Sequence, residues 1–215
     1  IILKRYKMNT QKNITPLMEQ YIEIKKNHSD SLLFFRMGDF YELFFEDAYL
    51  ASDILNITLT KRGKLDGKDI PMCGVPHHSS EKYMELLIKK GINIAICEQT
   101  ETPDQAKKRG YKAIVNREVV RIITPGTILE DNLIGVKTNN FLLSVNDVRD
   151  DISISWVDIS TGKVSTLSTT IEKVSSIIAR INPSEVIVSN SYVEKTKINL
   201  NKNCLLYTSP SPRDS

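Results

Sequence analysis

RMGDFYELFFEDA, Arg36 to Ala48, is the stretch on which the fold turns. It begins inside a continuous apolar run, SLLFFRM (Ser31–Met37), long enough for a buried strand. Gly38-Asp39 breaks that run. Beyond the break, Leu43, Phe44, Ala48, Ala51, Ile54 and Leu55 fall on one face of a helix drawn from Tyr41 to Leu55. The stretch therefore reads as strand–turn–helix, with Phe40 at the helix N-terminus. Two readings of Phe40 stay open. Spacings of three and four link it to Leu43 and Phe44 as core. Its place directly after the turn exposes it to whatever approaches. Glu42 taken alone reads as a first-turn acid favoured by the helix dipole.

Upstream, TPLMEQYIEIKKNH offers Thr15 as an N-cap and Pro16 at the first helical position. Leu17, Tyr21 and Ile24 then repeat at helical spacing. Downstream, ITLTKRG alternates like a strand with Ile57 and Leu59 on one side, and KLDGKD reads as a polar turn. IPMCGVPHHS, with two prolines and a glycine, reads as irregular. Ser79 or Ser80 caps a helix through Ile88 that ends at Gly91. INIAICEQ reads as a buried strand, TETPDQAKKRGY as a loop or short helix, and REVVRIITPGT as a strand closed by Pro-Gly. Residues 14–128 thus alternate helices and strands. Near residue 130 the pattern changes: FLLSVND, ISISWVDI and KVSTLST read as an antiparallel meander. A helix follows, Ile171–Ile181, with Val174, Ile177, Ile178 and Ile181 on one face, and then the strand SEVIVS.

The composition, 40% hydrophobic and 26% charged over 215 residues, is that of a globular chain rather than a disordered or fibrous one. No apolar run approaches the roughly 20 residues of a membrane span, and no secretory leader opens the chain. Cys73, Cys97 and Cys204 are too widely spaced for a CxxC pair, so neither a disulfide framework nor a zinc site is expected. These features together predict a cytoplasmic location. The net charge of +3 lies wholly in residues 1–130, with 20 Lys/Arg against 17 Asp/Glu; the remainder holds 9 of each. The excess is densest around Lys107, Lys108, Arg109, Lys112, Arg117 and Arg121. That cluster reads either as a phosphate-neutralising patch or as a solvated basic face. Met8 opens MNTQKNITPLMEQY like a natural start, so residues 1–7 read as upstream readthrough. YTSPSPRDS, residues 207–215, reads as a disordered or non-native tail.

Enzyme signatures are sparse. The sequence has no GxxxxGK[ST] phosphate loop, no HExxH and no GxSxG. His77-His78 are adjacent, which does not put both imidazoles on one helical face. Asp158 sits where a ribonuclease-H-like nuclease would carry its first acid, but no partner carboxylates converge with it. It reads as a strand-end or turn residue.

FFRMGDFYELFFEDA, LTKRG, IPMCGVPHHS, ICEQ and RIITPGT follow one another across residues 15–128 in an order and at spacings that resemble the mismatch-recognition domain of the MutS family of DNA mismatch repair proteins. Residues 129–206 more faintly resemble the start of that family's connector domain, a ribonuclease-H-like fold without nuclease activity. The fold this resemblance implies is α/β: a mixed sheet flanked by helices over residues 10–128, then an incomplete connector over 131–206. In the family, a Phe-x-Glu motif enters the minor groove at a mispaired or unpaired base; the matching residues here are Phe40 and Glu42. Phe40 would stack on the aberrant base as a wedge, and Glu42 would hydrogen-bond it while repelling intact duplex. Met37, Gly38 and Asp39 would hold the wedge. Lys61 and Arg62 would lie near the backbone, and Met72, Gly74 and His77 on a loop facing the groove. Arg117 would contact phosphate. Cys73 occupies a position in that loop where a small residue fits.

The implied partners are double-stranded DNA with mismatches or small loops, a second copy in the homodimeric full-length family, and downstream mismatch-repair proteins, with no membrane. ATP and Mg²⁺ serve the full-length family through an ATPase beyond this chain, so no cofactor and no ATP hydrolysis are expected here. Two other functions compete: a metal-dependent nuclease using Asp158, and an interaction domain that does not bind DNA and buries Phe40.

Overall fold

The computed structural model describes residues 14–110, 113–127, 139–148, 151–188, 192–193 and 196. The chain divides into two compact units between Ile123 and Thr124. The boundary expected near residue 130, residues 1–7, the tail 207–215 and Cys204 lie outside the described residues.

The first unit opens with helix α1 (Pro16–Asn27), where Thr15 caps the end by accepting from the Met18 N–H at 3.4 Å and Pro16 stands at the first position. Strand β1 (Ser31–Met37) turns back at Gly38-Asp39 into β2 (Phe40–Phe44), and helix α2 (Phe45–Leu55) follows. Then come β3 (Thr60–Leu65), β4 (Lys68–Pro76), α3 (Ser80–Lys89), β5 (Asn93–Gln99), α4 (Pro103–Arg109) and β6 (Arg117–Ile123). The six strands form one sheet in the order β3-β4-β2-β1-β5-β6. Only β1–β5 is parallel, which makes the sheet mixed.

Four sequence expectations are corrected. The helix drawn from Tyr41 begins at Phe45, because Phe40–Phe44 pairs with β4, and its first three residues with β1 as well, and this pairing outweighs helical spacing. Phe45 makes the junction at φ +55°, and Asn56, also left-handed, ends the helix. ITLTKRG begins its strand only at Thr60, and KLDGKD turns only at Asp66-Gly67. Both of these residues have positive φ, as a two-residue type I′ hairpin requires. IPMCGVP is strand rather than irregular chain. Pro71 lies beyond the last β2 partner of β4, and it faces β3 next to a register shift, where one ladder bond fewer is tolerated.

Residues on the sheet alternate between two packed faces. Leu33, Phe35, Phe44, Ala95 and Cys97 face α1, whose Met18 and Tyr21 complete the cluster. Leu17 and Ile24, expected on the buried stripe, pack at its margin. On the other face Phe34 meets Tyr41, with ring centroids 5.7 Å apart, and α2 lies against β4, where Cys73 Sγ is 3.5 Å from the Ala48 carbonyl. Asp47 is buried between α1 and β1. It takes Lys25 Nζ at 2.9 Å, the Leu33 N–H at 2.9 Å and the Tyr21 hydroxyl at 3.4 Å.

The second unit has the expected meander, β7 (Phe141–Val148), β8 (Asp151–Asp158) and β9 (Lys163–Thr169), then α5 (Ile171–Ile181) and β10 (Glu185–Val188). β10 joins the outer side of β7 in parallel, giving the order β10-β7-β8-β9 and a second mixed sheet. Val174 and Ile177 of α5 pack on Leu143, Val145, Ile152, Ile154 and Val186. Gly126 abuts β10 so closely that a Cβ there would come within 2.4 Å of the Glu185 Cβ. Among the described residues, no helix is long and apolar enough to cross a membrane.

Candidate nucleic-acid interface

The tip of the β1–β2 hairpin gathers most of the residues singled out above. Met37 pairs with Phe40, so the turn is Gly38-Asp39 alone. Gly38 sits at φ +60° and Asp39 does not share the positive φ, the pattern of a type II′ turn. Two hydrogen bonds fix it: Arg36 Nε donates to the Gly38 carbonyl at 2.5 Å, and the His77 N–H donates to the Asp39 carbonyl at 2.8 Å.

Strand periodicity then sorts the tip into two faces. On the α1 side stand Met37, Phe40 and Glu42. Phe40, 48% exposed, has Met37 and Pro76 as its cross-strand neighbours. It is an outward ring on a strand, not a core ring and not a helix N-terminal residue. Glu42 lies opposite Gly74, where a Cβ would be 3.3 Å from the Tyr41 carbonyl and 3.7 Å from Glu42 Cγ. Glycine there leaves room for the carboxylate. Glu42 is not a helix-dipole acid either: Arg62 Nη1 lies 2.9 Å from each of its oxygens. Burial pushes the Glu42 carboxyl above its ordinary value, and Arg62 pulls against that shift.

On the opposite side Tyr41 is buried. Its hydroxyl donates to Glu98 Oε1, while Arg36 lies over its ring at 5.6 Å and His77 stands against it at 5.3 Å. Glu98 is also within 3.9 Å of both Arg36 Nη1 and His77 Nε2. Burial first, and then the Glu98 hydrogen bond, raise the Tyr41 pKa far above its ordinary value, so the phenol is a fixed donor. Sequence reading missed Glu98 and Arg36 as supports of the turn. The signal lay in the alternation of Phe40-Tyr41-Glu42, which puts Tyr41 on the face away from Phe40.

The remaining residues divide. Met72 is partly buried against the α1 cluster, opposite Phe44. Lys61 is exposed and paired with Asp69 at 2.7 Å, and that bond raises its pKa. Arg117, expected at phosphate, is only 8% exposed. Nε donates to the Arg36 carbonyl at 2.7 Å, Nη1 to Val115 at 2.8 Å and to Gln20 at 3.1 Å, and the guanidinium stacks 4.9 Å over Phe35. It braces the root of the hairpin; burial lowers its pKa. The basic cluster likewise splits: Lys107 pairs with Asp104, and Arg109 binds Glu101 and the Ile114 carbonyl, while Lys112 lies outside the described residues.

In the second unit Asp158 Oδ1 caps a turn, accepting from Ser160 Oγ at 2.6 Å, the Ser160 N–H at 3.0 Å and the Asn140 N–H at 3.3 Å. The Ser160 hydroxyl leads in lowering its pKa. Among the described residues, no three His, Cys, Asp or Glu group to hold a metal ion. The sequence carries no GxxxxGK[ST] phosphate loop.

Known proteins resemble the chain along most of its length. The family model described as MutS domain I matches residues 15–132, and that of MutS domain II matches residues 140–210. The DNA mismatch repair protein MutS of Wolbachia pipientis wMel is 51% identical over 201 residues, covering 90% of this chain and 24% of the relative. The protein of the same name from Ehrlichia chaffeensis is 52% identical over 191 residues, covering 89% and 23%. That of Dinoroseobacter shibae is 52% identical over 180 residues, covering 84% and 20%. The chain spans about a quarter of the length of these relatives or less.

Proposed function

Because the chain belongs to the MutS family, matching its first two domains, we propose that it recognises mispaired or unpaired bases in double-stranded DNA through Phe40 and Glu42. One observation carries this reading: an exposed ring and a carboxylate stand two residues apart on the same face of a strand paired on both sides. A ring so placed can enter a base step from the minor groove and part it. Unstacking costs a few kcal/mol and less where pairing is already broken, so selectivity comes from deformability. Glu42 takes a hydrogen bond from the displaced base.

Met37, Gly38, Asp39, Gly74 and His77 set the wedge, and Met72 supports β4 beneath it. Lys61 and Arg62 lie toward the DNA backbone, whose contacts position without reading sequence. Arg117 acts here as a brace. Residues 10–128 form the recognition domain and 131–206 part of the connector. ATP hydrolysis and dimerisation fall to regions of the full-length family beyond these two domains; downstream mismatch-repair proteins are partners, and the location is the cytoplasm. Nuclease activity is disfavoured because the Asp158 carboxylate is occupied in capping a turn.

The test is a titration at low salt of a duplex bearing one G·T mispair and of its matched control, with wild type and Phe40→Ala. Wild type binds the mispair more tightly. The variant loses roughly tenfold or more on that duplex, since a stacked ring is worth about 1–3 kcal/mol, and melts at the same temperature. A folded wild type with no preference between the duplexes would sink the reading.

A further inference from the structure

Glu42 is not waiting open. Both of its oxygens lie 2.9 Å from Arg62 Nη1, and its side chain is only 13% exposed against 45% for Arg62. Arg62 reaches it from β3 although β4 lies between β3 and β2 in the sheet order. A bulge supplies that reach: the register with β4 shifts between Lys61 and Lys64, neither Arg62 nor Gly63 has a β4 partner, and Gly63 stands at φ +72°. β3 is also the outer strand of the sheet, open to an approaching ligand.

Resting on the function proposed above, we propose that Arg62 determines specificity. Its guanidinium holds the Glu42 carboxylate in the free protein and moves to a backbone phosphate only where an aberrant base takes that carboxylate over. The chemistry is symmetrical, because the arginine fork fits a carboxylate and a phosphate alike. With Arg62 nearly half exposed at its end, the pair is open to exchange. What differs is what the DNA offers Glu42. The minor-groove edge of an A·T pair presents only acceptors, A N3 and T O2, which a carboxylate cannot use; a G·C pair adds one donor, the G N2 amino group, flanked by acceptors that repel a carboxylate. On matched duplex Glu42 therefore keeps Arg62, and the phosphate contact is not made. A displaced base turns N–H donors outward, frees Arg62, and adds one phosphate contact at the mispair alone. A local base defect is thereby converted into a backbone contact. Arg62 also opposes the upward push of burial on the Glu42 carboxyl, which gives the pair a signature in the absence of DNA.

The test uses the full chain, wild type and Arg62→Gln, with folding checked by melting. Binding to the G·T and matched duplexes is measured as a function of salt. Each neutralised phosphate steepens the log–log salt slope by about 0.9. Wild type is steeper on the mispair by about that amount, and Arg62→Gln removes the difference by flattening the mispair slope alone. Separately, a carbon-13 titration of the Glu42 carboxyl in DNA-free protein moves to higher pH in Arg62→Gln. Equal flattening on both duplexes would make Arg62 an ordinary phosphate contact and overturn the exchange. Unchanged slopes, or an unmoved Glu42 titration, would overturn it as well. Absence of any mispair preference in wild type would overturn the function itself, and the DNA-free titration distinguishes that outcome from a failed exchange.

Discussion

Phe40 and Phe44 stand four residues apart on one face of one strand, and they have opposite fates. Phe44 is fully buried, with the Tyr21 ring edge-on at 5.0 Å, whereas Phe40 is half exposed. Neither strand propensity nor side-chain type separates them. The difference lies in what covers them: Met18 and Tyr21 of α1 cover the inner end of β2. At the outer end Met37 and Pro76 flank Phe40 but do not cover it. A sheet thus leaves one end of a face open by outrunning its covering helix, without any change of residue chemistry.

The largest effect that would break this contrast is at the covered end. Phe44→Ala should cost about 3–5 kcal/mol of stability in denaturant unfolding, as a core ring lost to a cavity does. A cost near zero would mean that α1 does not cover β2. Next, Arg117→Leu should cost roughly 1–3 kcal/mol, because it leaves the partly buried Arg36 and Val115 carbonyls without their donor; it should also loosen the hairpin tip, read as faster amide exchange at Asp39 and Phe40. Asp47, under α1, has a pKa raised by burial despite Lys25. Its folded form therefore keeps a proton longer than its unfolded form, and stability is lost as pH rises from the ordinary carboxylate value of 3.8 through the raised one. The stability of wild type relative to Asp47→Asn should fall across that window; a flat difference would contradict it. Phe40→Ala should change stability by less than about 0.5 kcal/mol, the range of open surface positions. The smallest effect expected is none at all. Burial pushes the Cys73 thiol up to about 11 and the Cys97 thiol up to about 12. Peptide mapping after alkylation at pH 8 should find both unmodified in folded protein and both modified in denaturant, one thiol for each face of the covered sheet.

What the sequence reveals follows from where the information sits. The α1 cap, the Asp66-Gly67 turn, the meander and the α5 stripe are local, and their residues carry them. FYELFF is ambiguous on its own terms, since Leu43 and Phe44 satisfy helical spacing while Phe40-Tyr41-Glu42-Leu43 also alternates. Its strand state comes from pairing with β1 and with β4, whose partners lie far along the chain, as Phe44 with Met72 and Phe40 with Pro76. IPMCGVP reads as irregular because proline statistics ignore where ladder bonds are required, and Pro71 falls where fewer are. At the site, the motifs marked Phe40 and Glu42, but exposure of the one and capture of the other by Arg62 depend on the third dimension. Arg117 shows the converse: a basic residue in a basic stretch, turned inward by the alternation of β6.

A ring that opens a base step must push, and whatever it pushes against pushes back. The Gly38-Asp39 turn has two residues and no slack, with one carbonyl tied by Arg36 and the other by His77. Thrust on Phe40 would enter β1 and β2 lengthwise, the direction in which a hydrogen-bonded sheet is stiffest, and spread into β4 and β5 on either side. Bending a duplex through 40–90° is work on the order of 1–6 kcal/mol. Under the proposed function, a tip mounted in this way would act as a chisel set in a handle, delivering that work to the DNA.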